Sequence, residues 1–397
     1  MSKFKNVYIP TGGYWSSPFC RWQGSLQNEN AIVLCANTIK KAMSERQLDP
    51  QIFDGVFLGY TIPQPACFYG TPWLAAMIGA EGVSGPIFSQ ACATSTTAIG
   101  YAAAAIDQGM YSNILVALAD RCSNGPHMVF PNPVGPGGQV ISENWLMDNF
   151  NNDPWAKNAM IQTAENVAKE AGITREECDA MALRRYQQYT DGLANDRAFQ
   201  KRYMVALDLK MGKKTVTVEA DEGVFPTTAE GLAGLRPALP GGVITFGAQT
   251  HPADGNAGFI VTTKEKAQAL SRDKNISVKL LSYGYARAKK GFMAAAVVPA
   301  AQMALDVAGL KVADLKAVKT HNPFAVNDVY MNKMMKIDDK IVNNYGSSLV
   351  FGHPQGPTAG RCIAEMIEEL ILLGGGYGLF AGCAAGDTAA AITLLVE

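Results

Sequence analysis

The chain of 397 residues carries 34 basic and 35 acidic side chains, a formal charge of -1, so it has no broad basic field for nucleic acid or an anionic membrane. Apolar residues make up 48% and charged ones 17%, which excludes disorder over most of the length and supplies core for two to three folding units. Any anionic ligand must therefore be held by a local site.

In chain order, Met1 to Asn6 lacks the apolar run and small-residue cleavage site of a secretory leader, so the cytoplasm is the expected location. An amphipathic helix around Ala42-Met43 is expected to end near Leu48, with a strand from Val56-Phe57-Leu58. The longest uncharged stretch, Gly82 to Ile106, is broken by Gly85, Pro86, Ser89 and Gln90 and reads as buried strand and helix, not a membrane span. Within it the strand Pro86 to Phe88 runs into Cys92 and a helix over Ala93 to Gln108. Strand Ile114 to Ala119 follows. Residues 121–245 differ in character: Pro131, Pro133 and Pro136 precede charged helical stretches from Thr163 to Glu170 and from Arg175 to Asp191. This reads as an inserted region, the kind of loop that carries binding groups or oligomer contacts on a rigid scaffold.

The pattern then repeats. Ala42-Met43, Leu48, Phe53 and Val56 are matched at one constant offset by Ala304-Leu305, Leu310, Leu315 and Val318. Helix Gly360 to Leu373, a stop at Gly374-Gly375-Gly376 and strand Gly378 to Cys383 then mirror the helix and strand after Cys92. A last strand covers Ala391 to Val396. Two such halves predict parallel-rich sheets packed around shared central helices.

The eight cysteines show no Cys-x-x-Cys pair and no Cys/His grouping at zinc-ligand spacing, which argues against disulfides and structural metal. Cys92 falls at a helix start, where free N–H groups would lower the thiol pKa and make a nucleophile; a cysteine among small residues also reads as packing. The turn Gly352-His353-Pro354-Gln355-Gly356 presents an imidazole, and the repeat offset added to Cys92 lands beside it. A base within reach of a thiol is what nucleophilic acyl transfer requires. His321-Asn322 ends the Val318 strand with an imidazole and an amide able to orient a water or donate to an oxyanion. Cys383-Ala384-Ala385-Gly386-Asp387 ends another strand in a turn whose N–H groups can approach a substrate. Lys213 and Lys214 would suit a phosphate but equally read as a solvated turn.

These residues resemble the thiolase family along essentially the whole chain. Arg21-Trp22-Gln23-Gly24-Ser25-Leu26 is similar to the family's opening motif, Thr163 to Ala168 to its loop-domain signature, and Leu235-Arg236-Pro237-Ala238 with Asp254-Gly255 to the stretch leading into the pantetheine turn. The resemblance implies an α/β thiolase fold: two duplicated βαβαβαββ halves forming a five-layered α-β-α-β-α core with an inserted loop domain. The expected division is residues 1–120, continuing at about 246–270, then a loop domain at 121–245 and a second half at 271–397. It also implies reversible acyl transfer between acyl-CoA and acetyl-CoA. Cys92 would carry the acyl group, His353 would take its proton, and Cys383 would act as the second acid/base. His353, with His321 or a water it holds, would form one oxyanion site, Asn322 standing beside it; the backbone N–H groups of Cys92 and Ala385 would form the other. Thr250, Met160 and Phe324 match positions along the pantetheine channel. The implied substrates are coenzyme A thioesters, with no tightly bound cofactor and no metal. The implied assembly is a homodimer or homotetramer, an accessory subunit being an open alternative.

Departures from the family pattern bear on substrate choice. His321-Asn322-Pro323-Phe324 stands where the commonest members read Asn-Glu-Ala-Phe, and Cys383-Ala384-Ala385-Gly386-Asp387 where they read Cys-x-Gly-Gly-Gly. Ala385 would shift the second oxyanion site, and Ala159 occupies the place of a histidine in short-chain enzymes. Three alternatives follow: a thiolase for a branched or aromatic acyl group, a catalytically weak CoA- or partner-binding protein, and a cysteine hydrolase using Cys92 and His353.

Overall fold

The computed structural model describes residues 3–397; Met1 and Ser2, where the expected absence of a leader begins, lie outside the described residues. The first half runs β1 (Tyr14–Ser16), β2 (Cys20–Arg21), α1 (Ala31–Glu45), β3 (Gly55–Gly59), α2 (Gly70–Ile78), β4 (Ile87–Phe88), α3 (Thr94–Asp107) and β5 (Asn113–Arg121). Between β5 and the next strand of that sheet lie β6 (His127–Pro131), β7 (Val140–Asn144), α4 (Met147–Asn151), α5 (Met160–Ala171), α6 (Arg175–Gly192), α7 (Ala194–Arg197), β8 (Leu207–Met211), β9 (Lys214–Val218) and α8 (Ala229–Ala233). The chain then returns in β10 (Ala253–Thr262) and α9 (Lys264–Leu270). The second half is β11 (Val278–Arg287), α10 (Val297–Ala308), β12 (Leu315–His321), α11 (Ala325–Met335), α12 (Ser348–Phe351), α13 (Thr358–Leu372), β13 (Gly376–Ala384) and β14 (Thr388–Val396).

The two sheets have the orders β1-β10-β5-β3-β4 and β11-β14-β13-β12, with β2 pairing β10. In both, the strand after the central helix pairs parallel with an earlier strand of its half: β5 with β3, β13 with β12. In both, the following strand returns antiparallel: β10 on β5, β14 on β13. The internal repeat is thus a repeat of topology. The expectation of parallel-rich sheets is corrected, because each sheet is mixed and the second has two antiparallel pairs to one parallel. An apolar strand buried on both faces looks the same in either direction, and only the short turn from β13 to β14 enforces the reversal.

Helices α3 and α13 touch each other and both sheets, forming the middle layer, while α1 and α2 cover the first sheet and α10 the second. Ala-rich faces allow this close packing: Ala98, Ala102 and Ala103 of α3 and Ala359 and Ala364 of α13 are fully buried. At Gly100 a Cβ would lie 2.5 Å from the Tyr283 ring of β11, so a larger residue would push the central layer off the second sheet. Burying one core helix face of this kind contributes roughly 25 cal/mol per Å² of apolar area removed from water. Among the described residues no helix is long and apolar enough to cross a membrane.

Candidate active site

Both central helices start at the same end of the molecule, and the segments leading into them meet there. The first arrives through a residue under conformational strain: Ala91 has φ 45°, in the left-handed region that disfavours a side chain, and the chain reverses into α3 directly after Cys92. The second arrives through Gly352, with φ 88°, which a Cβ would bring within 2.6 Å of His251. The His353 turn is pinned mainly from the other half. Gly356 N donates to Asp120 Oδ2 of β5 at 2.7 Å, and Ser95 Oγ of α3 donates to the Gly356 carbonyl. Asp120 also accepts from Thr61 N, Ile62 N and Thr61 Oγ1. Burial outweighs those donors and pushes the Asp120 carboxyl up to about 7.

His353 Nε2 lies 3.1 Å from Cys92 Sγ, and His353 Nδ1 lies 2.7 Å from Thr358 Oγ1 on the first turn of α13. With the thiol donating to Nε2, Nδ1 carries the ring proton and donates to Thr358. Burial, then the neighbouring His321 and His251, hold the His353 pKa well below its ordinary value, so the ring is a neutral base. Cys92 differs from expectation. Burial pushes its thiol up to about 12 despite the N–H groups of Ala385 and of Cys92 itself, both of which meet the sulfur and favour the thiolate. The helix start therefore yields no standing thiolate, and the proton must move to His353 as the sulfur attacks.

His321 stacks on His353, with ring centroids 4.0 Å apart and planes 28° apart. Its Nδ1 sits 3.3 Å from Ser348 Oγ, whose hydroxyl donates to Asn322 Oδ1 at 3.0 Å and so must accept from the ring. That leaves His321 Nε2 as an unprotonated acceptor, buried and without a protein partner. Burial lowers the His321 pKa to about 3. The Asn322 amide does not face the cavity as expected. Its Nδ2 donates to Asp328 Oδ2 at 2.7 Å and to Ser347 Oγ at 3.1 Å, and its Oδ1 accepts from Ser348 Oγ and Leu349 N. Asn322 thus braces the strand end, and Arg185 of α6 holds Asp328 from the far side at 2.7 Å, both side chains fully buried.

Cys383 closes the arrangement from β13, fully buried, with Asn327 Nδ2 donating to its sulfur at 3.2 Å. Burial, then the Cys92 sulfur, raise its thiol well above the ordinary value. In the turn beyond it the left-handed residues are Gly386 (φ 81°) and Asp387 (φ 60°). Ala385 therefore needs no glycine's freedom, and its N–H meets the Cys92 sulfur. Asp387 instead ties the turn to the next loop by accepting from Gly291 N at 2.8 Å.

A cavity of about 410 Å³ opens over Cys92, His353 and Ala385. Met160, Thr250 and Phe324 all line it, although the Thr250 hydroxyl is spent on the Ser348 carbonyl at 2.5 Å. Sequence reasoning missed most of the wall, including Met147, Phe150, Leu239, Phe246 and Met293, and the polar groups Asn151, Gln249 and Gln355. Among the described residues no charged side chain lines it. Lys213 and Lys214 sit exposed beside and within the β8–β9 hairpin and are not part of this wall. The ligand atoms of Cys92, His321 and His353 all fall within 4.8 Å of one another, although the three residues are far apart in sequence. Two rings stacked at 4.0 Å do not converge on one tetrahedral ion as they stand, and the set suits proton transfer better than metal binding.

The family description "Thiolase, N-terminal domain" matches residues 14–265 and "Thiolase, C-terminal domain" matches residues 274–396. The chain is 28% identical over 380 residues to the acetyl-CoA acetyltransferase of Escherichia coli (strain K12), covering 90% of this chain and 94% of that one. It is 30% identical over 309 residues to the 3-ketoacyl-CoA thiolase of Bacillus subtilis (strain 168), covering 76% of each. A solved structure of human mitochondrial 3-ketoacyl-CoA thiolase in complex with CoA superposes with a TM-score of 0.90 at 24% identity, covering 100% of this chain and 99% of that one, a likeness of fold.

Proposed function

The chain belongs to the thiolase family, enzymes of reversible acyl transfer between CoA thioesters through a cysteine acyl-enzyme, and on that premise we propose which residues perform each step and which acyl groups are taken. The observation that carries the assignment is the 3.1 Å approach of His353 Nε2 to Cys92 Sγ beneath two N–H groups. In the first half-reaction Cys92 attacks the thioester carbonyl while its proton passes to His353. The carbonyl oxygen takes up the electron pair against the N–H groups of Cys92 and Ala385. Collapse expels the CoA thiolate, which leaves with the proton from His353.

In the condensing direction Cys383 first gives its own proton to the neutral His353, whose Nε2–H then faces the enolate oxygen, and the resulting thiolate takes an α-proton from acetyl-CoA. The enolate oxygen is stabilised by His353 and by a water whose hydrogen is accepted at His321 Nε2, the other hydrogen of that water pointing at the oxygen. The enolate carbon attacks the acyl-Cys92 carbonyl, the carbon–carbon bond forms, and the Cys92–acyl bond breaks. The departing Cys92 sulfur recovers the proton held at His353 Nε2, and Cys383 keeps the α-proton, which restores the resting state. Thiolysis is the reverse. Thioesters suit both steps because sulfur overlaps poorly with the carbonyl, leaving the carbon electrophilic and the α-proton acidic.

The acyl group is neutral and apolar. A cavity walled by Met147, Phe150, Met160, Phe246 and Met293 with no charged lining residue among those described offers nothing to neutralise a terminal carboxylate. A panel of 3-oxoacyl-CoA substrates assayed for CoA-dependent cleavage tests this. Straight, branched or aromatic neutral chains should be cleaved, and a dicarboxylic analogue should be cleaved at least about 100-fold more slowly. Preference for the dicarboxylic substrate would reject the reading, and release of free acid without a second CoA would point to hydrolysis.

The protein works as a homo-oligomer. The two-residue β4 leaves an open sheet edge, and Tyr101, Met110 and Tyr285 are exposed, at 56%, 72% and 53%. Light scattering at micromolar concentration should give a dimer or larger; a stable monomer would contradict it.

A further inference from the structure

The second sulfur has a chemical problem that the first does not. Cys383 is fully buried among Phe324, Ala325, Val326, Val329, Met293 and Ala294, and a thiolate formed in such surroundings needs a donor. Its side-chain donor is Asn327, 2% exposed, whose Nδ2 lies 3.2 Å from the sulfur. The direction of that amide is fixed locally. Asn327 sits in the first turn of α11, and its Oδ1 accepts the Phe324 N–H at 3.3 Å, which leaves only the NH2 to meet the sulfur.

Resting on the assignment of Cys383 as the carbon acid/base, we propose that Asn327 is a positioning residue that fixes the Cys383 sulfur and stabilises its thiolate through this hydrogen bond. The proton moves between the substrate Cα and Sγ, and the amide donates to the sulfur lone pair left when the proton is absent. The charged and titratable groups around the sulfur are few. From the first half there is the Cys92 thiol, from β12 the neutral His321 imidazole, whose residue pairs with Gly382, and from α11 the Asp328 carboxylate, which is bound to Arg185. Two of these, Cys92 and Asp328, oppose a second negative charge, which makes the Asn327 donor matter more. Through Phe324, which lines the cavity, the same amide also ties the sulfur's position to the substrate wall.

The test separates the two half-reactions in the full-length enzyme. Intact mass after exposure to acetyl-CoA reads acylation at Cys92, and NMR in deuterated water reads exchange of the acetyl α-protons across pH. Asn327→Asp keeps the shape and replaces the donor by a carboxylate; Asn327→Ala removes both; Asn327→Gln retains an amide. Exchange should fall about ten-fold or more in Asn327→Ala and further in Asn327→Asp, with the ascending limb of the profile moved to higher pH and acylation within about two-fold of wild type. Asn327→Gln should recover part of the exchange. Profiles of Asn327→Ala and Asn327→Asp that superpose on wild type would overturn the proposal, as would parallel loss of acylation and exchange, which marks a merely structural residue. A wild-type enzyme that forms no Cys92 adduct would overturn the underlying assignment, and the mass spectrum tells that failure from the first.

Discussion

The duplicated halves deliver the same piece of backbone, a segment leading into or beside a central helix, yet they equip it differently. The first half exposes a sulfur to the cavity after the strained Ala91, with a neutral imidazole 3.1 Å away. The second half supplies that imidazole and buries its own sulfur under an amide. The difference follows from what each sulfur must do. Cys92 has to form and break a bond to a bulky acyl group, so it needs room, a proton acceptor and oxyanion donors. Cys383 only exchanges a proton, so it can stay enclosed where a stray electrophile has less access.

The sharpest way to break this contrast is to remove the sulfurs one at a time. Cys92→Ala should lower thiolysis by roughly four orders of magnitude or more, since nothing else in the cavity accepts the acyl group; retention of more than a hundredth of the activity would move the nucleophile elsewhere. Cys383→Ala should still be acylated but lose α-proton exchange about 10²- to 10⁴-fold. Normal exchange in that variant would take Cys383 out of the mechanism. His321→Ala should slow condensation about 10²-fold by removing the water's acceptor, and His321→Asn should recover much of it, because an amide oxygen also accepts. Equal loss in both variants would mean that the ring itself is required.

The inserted region also braces the second half, through the Arg185–Asp328 pair. Arg185→Ala strips the buried Asp328 of its partner and should cost about 3–5 kcal/mol of stability by denaturant unfolding. A cost below about 1 kcal/mol would mean that solvent or Asn322 already compensates the carboxylate. The smallest effect is on pH. His321 has a folded pKa of about 3, below its unfolded value of about 6.5, so unfolded chains bind more protons in that window. The stability it contributes is present above pH 6.5 and is lost as pH falls toward 3. His321→Asn should flatten that part of the stability profile, and an unchanged slope would mean that His321 stays solvated.

Much of this was legible from the chain. The repeated apolar positions gave two matching sets of helices and strands, with α3 and α13 within two residues of their expected bounds. Cys92, His353 and Cys383 stood out because each interrupts a run of small residues at an element end. Strand direction was hidden, since burial on both faces erases the alternation that would distinguish a returning strand. The thiol pKa of Cys92 was misjudged for a related reason: a helix start speaks for stabilisation, but depth, a tertiary property, outweighs it. Asn322 and Asn327 lie five residues apart and look alike in sequence. Only the tertiary placement of α11, which brings Asn327 to Cys383, sends one amide into the scaffold and the other to a sulfur.

The central claim is that the two sulfurs divide the labour, and peptide mapping by mass spectrometry after a brief exposure of wild-type protein to acetyl-CoA tests it most directly. The account predicts an acetyl group on the peptide containing Cys92 and none on the peptide containing Cys383. An acetyl group carried by Cys383, with Cys92 unmodified, would contradict it.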